Sequence, residues 1–371
     1  GRAELSLLVL FNSGEAAPAQ RNNWTAPDAR IWRNPPQALQ ILPMSTRIAQ
    51  RALCLDDFET MSRRHLPRPI FGYVAGATER NAALADTARS FPAYGFVPRV
   101  LRDVSQRSTK ATIFNREWAA PFGIAPMGLS ALAAYRGDIV LTEAAKAANV
   151  PMILSGSSLI RMEEVIAANP DTWFQAYLPG DATRVEALVD RVATAGFGTL
   201  LLTVDTAVLP NRENNVRNGF STPLRPSLRL ALDGITHPSW SLNTFLRTWR
   251  EHGMPDFENS FAERGAPIPA GNVLRDFTAR DHLNWEHLAL IRRRWPGWLI
   301  VKGVMHPEDA ARAASEGADG IIVSNHGGRQ LDGTAGPLRV LPDIAAASQG
   351  MAVMLDGGIR RGTDVMKALA L

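Results

Sequence analysis

The sequence predicts an α/β fold, a (β/α)8 TIM barrel, on two observations. Short apolar, β-branched segments alternate with amphipathic helical ones from about Phe122 onward, which is the rhythm of parallel βαβ units. Polar residues also stand at the carboxyl end of nearly every apolar segment. A doubly wound sheet concentrates its ligand contacts at one switch point, whereas a barrel gathers all its strand ends onto one face.

The elements follow in order. DDFETMSRRHL reads as a helix capped by Asp56 or Asp57, and a second helical stretch contains Tyr73. Strands are expected at FGIAPM from Phe122, PMILSG from Pro151, WFQAYL from Trp173, TLLLTVD from Thr199, LIVKGV from Leu299, GIIVSNH from Gly320 and AVMLDGG from Ala352. Between them lie DIVLTEAAKAAN, RMEEVIAAN, DATRVEALVDRVATAG, NWEHLALIRRRW, HPEDAARAASEG and LRVLPDIAAASQG, each with apolar residues at helical spacing. The chain stops at Leu371 inside the helix after the seventh strand, so the eighth β/α unit is expected to be missing and two strand edges to stand open.

Residues 1–43, rich in Pro, Asn, Ala and Arg, read as a disordered or non-native leader, with Met44 as the natural start of the barrel domain at 44–371. The apolar part of that leader, Leu5 to Phe11, is minimal for a secretory signal. One interruption, from about Leu209 to Asn284, spans roughly 70 residues and far exceeds an ordinary loop. It carries Trp240, Trp249, several Phe and Leu, and in its first half more Arg than acid, which suits a lid, a partner surface or peripheral membrane contact. A structured excursion covering the barrel is the plainer alternative.

The 371 residues, 46% of them hydrophobic, can bury a large core. The +4 charge is interspersed without a Lys/Arg tract, which speaks against nucleic-acid binding. A single cysteine, Cys54, excludes an intramolecular disulfide and a Cys-rich metal site, and favours a cytoplasmic protein. No apolar run approaches the roughly 20 residues that span a bilayer. There is no GxGxxG after a first strand, no P-loop and no HExxH, so nicotinamide, nucleoside triphosphate and zinc chemistries lose support, and no metal is expected.

The strand ends carry the chemistry. His326, flanked by glycines in SNHGGRQLDG, has an ordinary imidazole pKa of about 6.5 that suits a general base, and Asp205 could orient it. A lone histidine is more often structural. Its strand-end position and Arg329, three residues on, favour catalysis. Arg329 and Arg212 could each present a planar fork to a carboxylate, although a surface ion pair is an equal reading for Arg212. Tyr73 and Tyr177 could hydrogen-bond substrate oxygens, or simply pack. Lys302 ends an apolar strand, which is costly unless its ammonium meets an anion. Asp356, Gly357, Gly358 and Arg360, ahead of a helix opened by Gly362, suit a phosphate or a ribityl chain, although DGG alone is also an ordinary turn.

These motifs resemble the FMN-dependent 2-hydroxy acid dehydrogenases and oxidases over about Leu55 to Leu371. SNHGGRQ and DGGIRRGTDVMKALAL are the most specific, and FGYVAGATER, FGIAPMG, ILSGSS, FQAYL, LTVDT and LIVKGV recur in order. The resemblance implies oxidation of an L-2-hydroxy acid to a 2-oxo acid with FMN reduced. It implies His326 as base with Asp205 as partner, and Arg329, Tyr73 and Arg212 on the substrate carboxylate. Tyr177 would contact the hydroxyl or developing carbonyl, and Lys302 the flavin pyrimidine. Pro126, Met127 and Gly128 would face the flavin, as would Ser155, Gln175, Thr203 and Ser324, while Asp356, Gly358 and Arg360 would hold ribityl and phosphate. Ser157, where glycolate oxidase-like members carry Trp, would open room for a bulky or aromatic side chain. With Gly128 and the insertion motifs it points to the membrane-associated mandelate type, next to the flavin lactate dehydrogenases. A quinone or respiratory acceptor, peripheral contact at the inner membrane face and a homo-oligomer are the corresponding expectations. An oxidase using oxygen and an inactive barrel fragment are the alternatives, the latter because the family's Gly-Arg pair after the eighth strand is absent from this chain.

Overall fold

The computed structural model describes residues 7–11, 51–178, 181–221, 223, 225, 227–270 and 280–371. All seven expected strands form: β4 (Phe122–Ile124), β5 (Ile153–Ser155), β6 (Trp173–Ala176), β7 (Thr199–Thr203), β8 (Trp298–Val304), β9 (Gly320–Val323) and β10 (Ala352–Asp356). They are preceded by β1 (Leu7–Phe11) and by a hairpin, β2 (Ala111–Ile113) and β3 (Arg116–Trp118). Strands β5 to β10 pair in parallel with their chain neighbours, and Ile124 of β4 bridges Met152 in parallel beside β5.

The place between β10 and β4 is filled by β1, which runs antiparallel to both, with Leu8 opposite Asp356 on one side and Gly123 on the other. The open edges expected of a seven-stranded sheet are therefore paired. An open edge offers a row of N–H and C=O groups that a β-prone LLVLF segment can satisfy in either direction. Within the segment 1–43, read as a disordered or non-native leader, Leu7–Phe11 forms this strand, while Met44 and the rest of that segment lie outside the described residues.

Side-chain alternation along each strand divides the core in two. Leu200, Leu202, Leu299, Val301, Ile321 and Val323 face outward against Val185, Leu188 and Val192 of the helix Ala182–Ala195, Ile291 of Trp285–Arg294 and Leu341 of Pro337–Ala347. Their neighbours Leu201, Ile300 and Ile322 face inward, where Ile113 and Trp118 of the hairpin plug the amino end of the barrel. The helix Ala182–Ala195 starts where the Asp181 carboxylate accepts the Arg184 N–H at 2.9 Å and stops at Gly196 in a left-handed conformation.

The helix Leu55–His65 is capped differently from expectation. Cys54 holds the cap position, and Asp57, one turn in, accepts the Leu53 and Cys54 N–H groups at 2.7 and 3.0 Å. The insertion after β7 is helical in Glu213–Asn218, Leu228–Thr236 and Pro238–His252, the last with a π-helical turn at Ser241–Leu246. Its two tryptophans separate. Trp240 is buried with Leu66, Ile70 and Phe71 and donates to the Leu132 carbonyl at 2.7 Å, whereas Trp249 is exposed.

Candidate functional site

Parallel pairing sets the carboxyl ends of the strands side by side. Ser155 lies opposite Gln175 and Thr203 opposite Lys302, so residues far apart in sequence line one rim. Each of these four is buried, as are Ser324 and Asp356. A polar rim under such burial must be internally satisfied or matched by a ligand.

At its centre, Nδ1 of His326 lies 2.9 Å from Oδ1 of Asp205. That contact requires Gly303, the residue after Lys302: a Cβ there would come within 2.6 Å of the Asp205 Cγ, and its φ is +106°. Burial pushes the His326 imidazole below its ordinary pKa, with the Asp205 carboxylate opposing. Burial alone would raise Asp205, but the imidazole and Lys302 hold it below the usual carboxylate value. His326 itself has a φ of +57°, in a turn where Asn325 accepts the Gly328 N–H at 3.2 Å and the His326 N–H donates to Ser324 Oγ at 3.0 Å. With Nδ1 engaged by Asp205, Nε2 is the ring nitrogen left to exchange a proton.

On one side of this pair stand the cations. The Arg329 guanidinium lies over the Tyr73 ring, 4.9 Å from its centroid, and donates to the Gly76 carbonyl. Arg212 donates through Nε to the Arg329 carbonyl and through Nη2 to Gln330 Oε1, both at 3.1 Å. Burial and the neighbouring Arg329 push Arg212 down to about 10. Two guanidiniums this close, with no ion pair to a carboxylate among the described residues, form a site that an anionic ligand would stabilise. The surface ion pair weighed for Arg212 is not what forms. Gln330, not singled out by sequence although it sits inside SNHGGRQ, fixes the Arg212 fork. Gly128, Ser157 and Tyr73 close the same space: a Cβ on Gly128 would lie 3.1 Å from the Ser157 Cβ and 3.7 Å from the Tyr73 hydroxyl. Pro126 and Met127 precede Gly128 on the half-buried loop after β4.

On the other side, Lys302 Nζ contacts Asp356 Oδ2 and Ser324 Oγ, both at 3.0 Å. Burial opposes the ammonium charge, but the Asp356 and Asp205 carboxylates outweigh it and hold the group up at about 12. Ser155 Oγ meets Gln175 Oε1 at 3.0 Å. Yet Gln175 Nε2, Thr203 Oγ1 and Asp356 Oδ1 are buried with no hydrogen-bond partner among the described residues. An amide donor, a hydroxyl and a carboxylate oxygen left open along one rim fit the pyrimidine and ribityl groups of a flavin, so the chain's own chemistry accommodates FMN. Gly357 and Gly358 follow β10 with φ of +91° and +78°, and Arg360 stands just before the helix Gly362–Ala370, its Nη1 donating to the Ile359 carbonyl at 2.9 Å.

One residue from the insertion reaches this site without a sequence signal. Arg280, 7% exposed, stacks its guanidinium on the Tyr177 ring at 4.3 Å. At the opposite mouth of the barrel, a cavity of about 720 Å³ is lined by Phe114, Trp173, Thr199 and Trp298. Its cations Arg116 and Arg292 are paired with Asp171 and Asp319 at 2.6 and 2.8 Å, so the open chemistry lies at the carboxyl rim. Among the described residues, no cluster of His, Cys, Asp or Glu could hold a metal ion.

The chain is similar to known proteins. A family model described as FMN-dependent dehydrogenase matches residues 62–371. The chain is 36% identical to an (S)-mandelate dehydrogenase of Pseudomonas putida over 87% of its own length and 81% of that protein's, and 38% identical to an L-lactate dehydrogenase of Caulobacter sp. over 85% and 83%. A crystal structure described as the monotopic membrane protein (S)-mandelate dehydrogenase superposes with a TM-score of 0.78 at 35% identity, covering 86% of this chain and 84% of that one. A mandelate oxidase structure superposes at 0.67 with 32% identity, over 85% and 82%.

Proposed function

The chain belongs to the FMN-dependent dehydrogenase family, and from that premise we propose that it oxidises an L-2-hydroxy acid with a bulky or aromatic side chain, mandelate-like rather than lactate-like, to the 2-oxo acid. The observation that carries this reading is the pair Arg212 and Arg329, without a carboxylate partner among the described residues, beside the His326–Asp205 dyad. The guanidiniums bind the substrate carboxylate, with Tyr73 beside them, and so place C2 and its hydroxyl near the imidazole. FMN, when bound, supplies the two-electron acceptor. Oxidation removes two hydrogens, one of which leaves as a proton to His326, and Asp205 stabilises the imidazolium that results. Tyr177 donates to the oxygen that becomes the carbonyl. Lys302, held charged by Asp356, would place fixed positive charge beside the flavin pyrimidine, where negative charge develops on reduction. Gln175, Thr203, Ser155, Ser324, Pro126, Met127 and Gly128 would hold the ring system, and Asp356, Gly357, Gly358 and Arg360 the ribityl phosphate.

The small residues Gly128 and Ser157, which put no large side chain beside the Tyr73 hydroxyl, support an aromatic substrate. A membrane quinone or other respiratory acceptor, rather than oxygen, is the second half of the proposal, in a homo-oligomer peripheral to the inner membrane face. It is supported by the exposed stripe Leu228, Leu232 and Ile235 on the insertion helix and by the likeness to a monotopic membrane protein. Among the described residues, no helix is long and apolar enough to cross a membrane.

Anaerobic addition of L-mandelate or L-lactate to the flavin-loaded protein tests the reading. Bleaching of the flavin absorption is expected with both, faster with mandelate, and the His326→Ala protein should keep its flavin but bleach slower by roughly 10² to 10⁴-fold. Retained flavin with no bleaching by any 2-hydroxy acid would refute the proposal.

A further inference from the structure

We infer that Arg280, contributed by the far end of the insertion, is a positioning residue for the reaction: its guanidinium holds the Tyr177 ring in place and polarises the hydroxyl that the substrate meets. This rests on the role proposed above for Tyr177. The guanidinium carbon lies 4.3 Å from the ring centroid, within the range of a strong cation–π contact, and Arg280 is 7% exposed. A cation taken this far out of water needs a compensating partner, and the face of an aromatic ring supplies part of that compensation where water cannot. The edge of the ring also runs close to Gly156, where a side chain's Cβ would lie 3.6 Å from Tyr177 Cδ2. Tyr177 follows β6 at the carboxyl rim, so the guanidinium on its ring face bears on the angle at which its hydroxyl enters the site.

Burial is the largest effect on that hydroxyl and pushes the phenol above its ordinary value; Arg280 and then Lys302 oppose it, while Asp205 and Tyr73 reinforce it. Arg280 is thus the strongest of the charges that make the hydroxyl a better donor to a developing oxyanion. It is also the only one of these groups that belongs to the insertion. The segment with the exposed apolar helix therefore has a second end inside the active site, and its placement bears on the chemistry.

A double-mutant cycle decides this. Arg280→Met is expected to lower kcat by about tenfold while changing KM by less than about twofold, and the same substitution in a Tyr177→Phe background is expected to lower it no further. Without turnover, the tyrosinate absorbance difference between the protein and its Tyr177→Phe variant should rise at higher pH once Arg280 is replaced, because a cation favouring the phenolate is gone. Losses that multiply in the double variant, or an unchanged kcat in Arg280→Met, would overturn the inference and leave the role of Tyr177 standing. An unchanged kcat in Tyr177→Phe alone would remove that role and the inference with it. If Arg280→Met does not accumulate as folded protein, Arg280→Gln, planar and neutral, is put through the same cycle with the same outcomes.

Discussion

Two opposing effects act on the imidazole of His326 at once, and both suit the role proposed for it. Burial favours its neutral form, which can accept a proton, and Asp205 at 2.9 Å favours the charged form, which must then be tolerated. The sign follows: activity should fall as pH drops through a value below the ordinary 6.5, since the protonated ring cannot act as base. Asp205→Asn removes the stabilising carboxylate, so the acid limb of the kcat/KM profile should move to still lower pH while the plateau drops roughly 10² to 10⁴-fold. A steady-state pH profile of the two proteins checks both shifts; an acid limb moving upward would contradict the assignment. Ser157 makes a separate prediction. Ser157→Trp sets an indole beside Gly128 and Tyr73 and should reduce the mandelate-to-lactate ratio of kcat/KM on the order of 100-fold, measured by competing substrates. Most of these residues were legible in sequence because polar groups at the ends of apolar runs are costly and therefore conspicuous. Arg280 was not, since its partner Tyr177 is brought to it only by folding. The pairing of Lys302 with Asp356 was equally hidden, and it joins two groups that sequence reasoning had placed on separate parts of a cofactor.

At the level of elements, the strands β4 to β10 fell where apolar β-branched runs put them, because inner and outer faces are both buried and leave no polar alternation to confuse the reading. The insertion was legible as a segment too long for a loop, with apolar anchors and basic residues, but not in how those anchors divide. Tertiary packing divides it: Trp240 is locked beneath Leu132, while Leu228, Leu232 and Ile235 recur along one stripe of the helix Leu228–Thr236 and stay exposed. Replacing Leu232 and Ile235 together by Glu should abolish flotation with vesicles containing anionic lipid while leaving anaerobic flavin bleaching intact. Flotation equal to that of the parent protein would reject this helix as the membrane contact. The cap of the first helix shows a smaller limit of sequence reading. Asp56 and Asp57 are both good cap residues, and backbone geometry selected Cys54 as the cap with Asp57 reaching back.

The whole molecule is a ring of strands whose last gap is filled by β1 against the direction of its neighbours. Val9 pairs with Leu355 and Phe122, so Val9→Pro removes a ladder N–H from a strand bonded on both edges. A loss of about 1–3 kcal/mol is expected from the unmet backbone groups, read as a lower unfolding midpoint; an unchanged midpoint would show that β1 adds nothing to the barrel. Sequence by itself determined the barrel rhythm, the rim that carries the chemistry, and the family resemblance of its motifs, because burial patterns and costly polar positions are local properties of a chain. Only the tertiary structure decided which strand completes the sheet, which carboxylate meets Lys302, which way the two tryptophans of the insertion face, and that Arg280 stands on Tyr177. Those outcomes depend on distances between segments remote in sequence, and such distances are set only when the sheet curls and its layers pack.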